Sequence, residues 1–291
     1  MAVSGGADSL ALLLLAASGA QNIVEAATVD HGLRSESAQE AELVRGICAQ
    51  LDVPHRILKA HWAEKPRSNI QSAAREQRYL LLAEWATERK VTSIATAHHA
   101  DDQAETILMR LARGAGIAGL ASIRPKRDLG SGICLVRPLL GWSRSELRAI
   151  VEAAGLEPVD DPTNHDERFD RSWARALLGS ADRLDPQRLS ATASHARDAD
   201  AALDWAAAKE LQARSRRDGN ALLLSPDGLP LELKRRVLIA AMSMVGAQPP
   251  SGPDLINALQ RLEAGDVTTL GGLKLEGGST WRLSTAPARR I

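Results

Sequence analysis

Through about residue 158, short apolar or β-branched runs alternate with longer stretches whose apolar positions recur at helical spacing. That is the pattern of a parallel sheet covered by helices. Met1 to Ser4, Ile23 to Val29, His55 to Leu58, Ser93 to Ala97 and Ile133 to Val136 read as strands. Asp8 to Ala17, Ser37 to Leu51, Ile70 to Arg89, Asp102 to Arg113 and Ser143 to Ala154 read as helices, the last opening on a Ser143-x-x-Glu146 capping box and closing at Gly155. The expectation is an α/β fold with a doubly wound parallel sheet, whose ligands bind at the carboxyl ends of the strands. Only Met1, Ala2 and Val3 precede the first loop, against about 5 to 6 residues in an ordinary strand. The first strand therefore reads as trimmed, by a shortened chain or a late start site.

From about Asp182 the character changes to Ala-rich helical sequence over Pro186 to Arg214, then Leu229 to Met244 and Pro253 to Glu263. The tail, Thr268 to Leu275 with Thr280 to Leu283, reads as a hairpin turning at Gly277-Gly278. Two domains are expected: residues 1–182, and a smaller, mainly helical domain of residues 183–291 with a terminal β-hairpin.

Composition narrows the class. With 291 residues and 44% apolar side chains the chain can bury a core, which excludes disorder. The longest apolar run, Leu10 to Ala17, is far short of the roughly 20 residues of a membrane span, and no basic leader precedes it. No membrane partner and a cytoplasmic location follow as expectations. Cys48 and Cys134 sit apart and outside any CxxC pair, so they read as buried structural thiols. Basic and acidic side chains balance at 36 each, yet residues 1–109 carry 10 basic against 14 acidic and residues 209–291 carry 12 against 8. An acidic front and a basic rear suit an anionic partner bound mainly by the rear.

The sharpest local signal is Ser4-Gly5-Gly6-Ala7-Asp8-Ser9 between a strand and a helix. Glycines let the backbone approach an anion, serines add donors, and the helix N-terminus presents unpaired N–H groups. This is a phosphate cradle, although neither a Walker A loop nor a GxGxxG turn. Ala97-His98-His99-Ala100-Asp101-Asp102-Gln103-Ala104-Glu105 follows another strand, with Asp101, Asp102 and Glu105 gathered on the first turn of a helix. The bland reading is an N-terminal cap at Asp102; the sharper one is a site for Mg²⁺ or a cationic substrate. Asp30-His31-Gly32 closes the second strand beside the phosphate loop, and Arg75 and Arg78 lie three apart on a helix. Asp160-Asp161-Pro162-Thr163-Asn164 is turn chemistry, and Arg171 and Arg175, four apart, form a stripe suited to phosphates.

SGGxDS resembles the phosphate loop of the N-type ATP pyrophosphatases, the PP-loop superfamily with its adenine nucleotide alpha hydrolase-like fold. The ordered segments SGGADS, VDHGLR, AAREQRY, ATAHHADDQAET, RLARGAGIAGLASI, RPLLGWSRSELRAIVEAAGL and DPTNHDERFDRSWAR are similar to the tRNA(Ile)-lysidine synthetase family over residues 1 to 178. The rear region resembles that family's second domain more loosely. One departure is Ser172 after Arg171, where the family usually has Asn. The chain's length leads to the expectation that the extra C-terminal domain of longer members is missing.

The resemblance implies a ligase that uses ATP to adenylate the wobble cytidine of CAU-anticodon tRNA(Ile) and then joins free L-lysine to its C2. It implies ATP and Mg²⁺ as cofactors, and a homodimer as one form of assembly. By the same match Ser4, Gly5, Gly6, Asp8, Ser9, Asp30, His31, Arg75 and His98 bind the nucleotide, and Asp102 and Glu105 bind the lysine. Asp8, Arg75, Asp102 and Glu105 are the implied catalytic residues, Arg171 and Arg175 the tRNA contacts, and Asp8 and Asp101 the metal ligands. The rivals are another adenylating enzyme of the superfamily, such as a tRNA thiolase or an amidotransferase-type synthetase, and a non-catalytic nucleotide-binding module. Paired cysteines would mark a thiolase, and Cys48 and Cys134 are solitary.

Overall fold

The protein is represented by a computed structural model that describes residues 1–19, 23–33, 36–62, 70–159, 170–181, 183–248 and 252–286. The turn at Asp160 to Asn164 lies outside the described residues. In chain order the elements are α1 (Ala7–Gly19), β1 (Ala26–Asp30), α2 (Ser37–Gln50), β2 (His55–Lys59), α3 (Ile70–Glu88), β3 (Ser93–Ala95), α4 (Ala100–Ala112) and α5 (Ile117–Leu120). Then come β4 (Lys126–Asp128), β5 (Cys134–Val136), α6 (Arg144–Ala153), α7 (Asp170–Ser180) and α8 (Pro186–Arg214). The chain finishes with β6 (Ser215–Asp218), β7 (Ala221–Leu224), α9 (Leu231–Met244), α10 (Gly252–Glu263), β8 (Val267–Leu270), β9 (Leu273–Glu276) and β10 (Trp281–Thr285). Contacts divide it into two compact units, Met1–Arg197 and Asp198–Ile291.

In the first unit, β1 pairs with β2 in parallel, β3 pairs with β5 in parallel, and β4 closes the edge antiparallel to β5. Met1 to Val3 join the two halves. Ala2 bridges Ala27 in parallel, Val3 donates to the Ala27 carbonyl, and Ala2 donates to the Ala95 carbonyl. The sheet thus runs β2, β1, the opening segment, β3, β5, β4. Its order reverses between the opening segment and β3, the switch point where such sheets bind ligands. One face is packed by α1, α2 and α6 through Leu10, Leu13, Val44, Leu147 and Val151; the other is packed by α3 through Leu82, Trp85 and Ala86. The expected capping box of α6 is present, with the Glu146 amide donating to Ser143 Oγ and the Ser143 amide to Glu146 Oε2. Cys48 is buried and Cys134 half-buried, both as free thiols. Among the described residues no helix is long and apolar enough to cross a membrane.

The second unit carries the expected helices and terminal hairpin, and that hairpin is part of a larger sheet. Its five-stranded antiparallel sheet runs β6, β7, β10, β9, β8. The turn between β8 and β9 lies at Gly271-Gly272, with φ of +57° and +78°, the left-handed pair that a two-residue hairpin demands. The expected turn at Gly277-Gly278 is also present, joining β9 to its antiparallel partner β10; there the chain passes close to α10, and a Cβ added at Gly277 would stand 2.3 Å from the Leu262 carbonyl oxygen. Trp281, Leu283, Leu275, Leu222 and Leu224 face inward onto α9 and α10.

Arg236 is buried in this unit. Its Nη2 meets Asp200 Oδ1 at 2.8 Å, its Nε meets Glu232 Oε1 at 2.7 Å, and its Nη1 meets Asp204. Removing one member of a buried ion pair leaves the other uncompensated, at about 3 to 5 kcal/mol. Arg236→Ala and Arg236→Met should therefore both lower stability by that order in urea unfolding of the full chain, and Arg236→Lys by less. Equal loss in Met and Lys would show that packing rather than charge holds the residue.

Candidate active site

The opening segment turns at Gly5 into α1. Gly5 has a φ of +91°, open cheaply only to glycine, and a Cβ there would stand 3.1 Å from Val159 Cγ2 and 3.2 Å from Val44 Cγ2. Ser9 Oγ accepts the amides of Ser4 and Gly5 at 3.1 and 3.2 Å and donates to the Gly6 carbonyl at 2.9 Å. Ser9 therefore braces the loop from within, while Gly6, Ala7 and Asp8 lead the helix, where backbone N–H groups and the helix dipole favour an anion.

β3 delivers two histidines to the same edge. His99 is 1% exposed; its Nε2 lies 3.3 Å from Asp8 Oδ2 and 3.6 Å from Asp102 Oδ2. Its Nδ1 faces Asp101 Oδ2 at 3.4 Å, too oblique for a hydrogen bond but close enough for charge attraction. Burial opposes a charged ring, yet Asp101, Asp8 and Asp102 outweigh it and push His99 up to about 10. Burial works against the Asp101 and Asp102 carboxylates too, but the His99 charge holds both low. Asp102 Oδ2 also takes the His99 backbone amide at 3.1 Å, so it caps α4 and belongs to the charged cluster at once. Asp101 Oδ2 accepts the Arg144 amide at 2.8 Å. Asp8 and Asp101 thus stand on opposite nitrogens of one ring.

His98 has the opposite character. Its Nδ1 is 3.0 Å from Thr96 Oγ1, and burial, with help from Arg137, Arg75 and Arg171, pushes it down to about 4. His31 is likewise pushed down to about 4 by burial and by Arg78, whose Nη2 lies 3.5 Å from its Nε2. At neutral pH the edge therefore holds one imidazolium and two neutral imidazoles.

Glu105 is 1% exposed. Its Oε1 accepts Arg175 Nε at 2.9 Å and sees Arg144 Nη2 at 3.5 Å; its Oε2 is buried with no partner among the described residues. Arg175 thus spends charge on Glu105. Arg171 lies near enough to act on His98 and Asp102. Asp30 Oδ1 accepts the Gly32 amide at 2.9 Å and Ser37 Oγ at 2.6 Å, an Asx turn that shapes the end of β1. Arg75 lies over the Tyr79 ring, its Cζ 5.2 Å from the centroid. Arg144 and Arg137 escaped the motif reading, although each directly follows a readable signal: the Ser143 cap and the carboxyl end of a strand.

A strand-loop-helix phosphate cradle at the switch point, with an acid cluster on the neighbouring strand end, defines a nucleotide-binding α/β protein. The family model of the PP-loop domain matches residues 1–181. The chain is 45% identical over its whole length to a tRNA(Ile)-lysidine synthase of Zymomonas mobilis and 45% identical to one of Novosphingobium aromaticivorans, covering 89% of each. Among solved structures it resembles the U34-tRNA thiolase NcsA from Methanococcus maripaludis, with a TM-score of 0.58 and 18% identity, covering 68% of this chain and 70% of that one. That likeness speaks to the fold. The chain belongs to the tRNA(Ile)-lysidine synthase family.

The His99 cluster has a pH signature. A group raised from 6.5 to about 10 stabilises fully below pH 6.5 and loses that contribution as pH rises through about 10. Without nucleotide, the thermal midpoint of the wild-type chain should fall more steeply between pH 8 and 10.5 than that of His99→Gln. Parallel profiles, or a His99 ring neutral at pH 8 by NMR, would contradict the assignment.

Proposed function

We propose that the chain ligates free L-lysine to C2 of the wobble cytidine of CAU-anticodon tRNA(Ile), through an adenylated tRNA, releasing AMP and pyrophosphate. The family membership supports the reaction and the PP-loop domain supports the use of ATP. The observation that carries the reading is the ion pair between Asp8 and His99, which ties the phosphate loop to the helix bearing Asp102 and Glu105.

In the first step the cytidine O2 attacks the α-phosphorus and pyrophosphate leaves. Developing charge on the leaving group meets the N-terminal amides of α1, with Arg75 as a further cation from α3. His31 and Asp30, closing β1, border the nucleoside side of the loop. Of the two proposed Mg²⁺ ligands, Asp8 fits: its side chain is 37% exposed at the loop, and Mg²⁺ is held by one or two carboxylates plus substrate phosphates. Asp101 gives its Oδ2 to the Arg144 amide across the imidazole ring, which leaves Oδ1 for such an ion. When bound, the ion would offset phosphate charge.

In the second step a lysine amine attacks C2 and AMP leaves. Asp102 and Glu105 supply the negative charge that recognises the lysine, and Glu105 Oε2, unpartnered among the described residues, is the acceptor left for an ammonium proton. His98, held neutral by burial, is too weakly basic to keep that proton. Catalysis belongs to residues 1–182 and tRNA recognition chiefly to residues 183–291, with Arg171 a phosphate contact at the edge of the site.

Radiolabelled lysine, ATP and Mg²⁺ should label a CAU-anticodon tRNA(Ile) transcript and not its C-to-U wobble variant. ATP cleavage without label would retain the superfamily and reject lysine as acceptor. Glu105→Gln should raise the KM for lysine at least tenfold with the Kd for ATP within twofold; equal loss of both would reduce Glu105 to a structural role. Arg171→Ala should weaken tRNA binding and cut the slope of log K against log salt by about one. Arg175→Ala should act instead on lysine use, through Glu105.

A further inference from the structure

The carboxyl edge of the sheet carries a second group of side chains, of which Arg127 and Arg137 have no part in the reaction above. Arg137 follows β5 directly and is 7% exposed. Its Nη1 donates to the Arg124 carbonyl, its guanidinium lies close enough to the Tyr79 phenol to interact with it electrostatically, and its Nε is buried with no partner among the described residues. The Arg75 and Arg127 guanidinium carbons lie 5.2 and 5.6 Å from the centroid of the same Tyr79 ring. One tyrosine on α3 therefore gathers three arginines, and among the described residues no carboxylate pairs with any of them.

The arrangement is unbalanced as it stands. Cation–π attraction and the phenol orient the guanidinium groups, but neither cancels the repulsion among three like charges. The orphaned Nε carries the desolvation cost of a donor without an acceptor. The neighbouring acid does not help: Asp128, on the exposed edge strand β4, accepts the Gly130 amide at 2.8 Å and alternates away from Arg127. Lys126 adds another cation to that strand. An oxyanion is the ligand that satisfies donors and charges together, and planar guanidinium forks suit phosphate oxygens.

We propose that Arg127 and Arg137, gathered with Arg75 around Tyr79, form a second phosphate site at the carboxyl edge of the sheet, separate from the Ser4–Ser9 loop and used in the tRNA-dependent reaction. The inference rests on the lysidine-forming reading. The phosphate belongs to the RNA backbone beside the wobble nucleotide or to the ATP triphosphate. β5 lies two strands from the opening segment, about 10 Å at ordinary strand spacing, which favours the RNA.

Binding separates the sources. Kd values for Mg-ATP and for a CAU-anticodon stem-loop RNA, the latter across a range of KCl, are measured with full-length wild type, Arg127→Ala and Arg137→Lys. Arg127→Ala should weaken RNA binding at least fivefold and lower the salt slope by about one. Arg137→Lys, which keeps the charge and loses the fork, should weaken it comparably with the slope unchanged. ATP affinity should stay within twofold in both. Loss of ATP affinity with RNA binding intact would keep the site and assign it to the triphosphate. Folded variants that bind both ligands like wild type overturn it, and Arg127→Ala, on an exposed strand, decides where Arg137→Lys fails to fold. A wild type that binds both ligands and makes no lysidine rejects the reaction while the binding arms still judge the site; one that binds neither overturns both.

Discussion

The buried imidazolium of His99 is the constraint on which the site depends. The sheet order forces the opening segment and β3 to be neighbours, so the phosphate loop and the start of α4 arrive at one point. Both arrive acidic, with Asp8 on one side and Asp101 and Asp102 on the other. Three carboxylates around a neutral ring would repel each other and any triphosphate. A single proton on His99 turns that repulsion into a clamp and leaves Asp8 at the loop with its charge partly balanced.

The same logic runs outward through α4. Glu105, one turn further on, is buried and would be costly alone; Arg175 from α7 and Arg144 at the start of α6 offset it. Two helices remote in sequence are thereby fixed to the helix that carries the acid cluster. Compensation stops short of completeness, because Oε2 has no donor among the described residues. A site that must accept a cation cannot neutralise its own carboxylates fully, and this one keeps an acceptor in reserve beside two arginines that hold it in place.

The first unit was readable from sequence because its local signals agree: β-branched runs, the Ser143 capping box and the glycine loop all fall where the fold needs them. The second was less so. β6 is Ser-Arg-Arg-Asp, an exposed edge strand following α8 without a break, and its charges hide it. β7, Ala-Leu-Leu-Leu, is too short a run to distinguish strand from helix. With both missed, the tail read as one hairpin rather than half of a sheet. Within the site, residue types were readable but partners were not. Nothing local says that Ser9 turns inward, that Asp30 is consumed by its own turn, or that Arg175 faces a glutamate 70 positions earlier.

Charge burial serves different ends in the two units. Arg236 is surrounded by Asp200, Asp204 and Glu232, so each of its three nitrogens has an acceptor. The first unit buries charge without closing it: among the described residues Glu105 Oε2 lacks a donor and Arg137 Nε lacks an acceptor. Both defects lie at the carboxyl edge of one sheet, and they are of opposite sign. A substrate presenting an ammonium to one and a phosphate to the other would satisfy each. A stability-optimised core would remove both groups, so their joint retention at that edge is what a binding site, rather than a scaffold, requires.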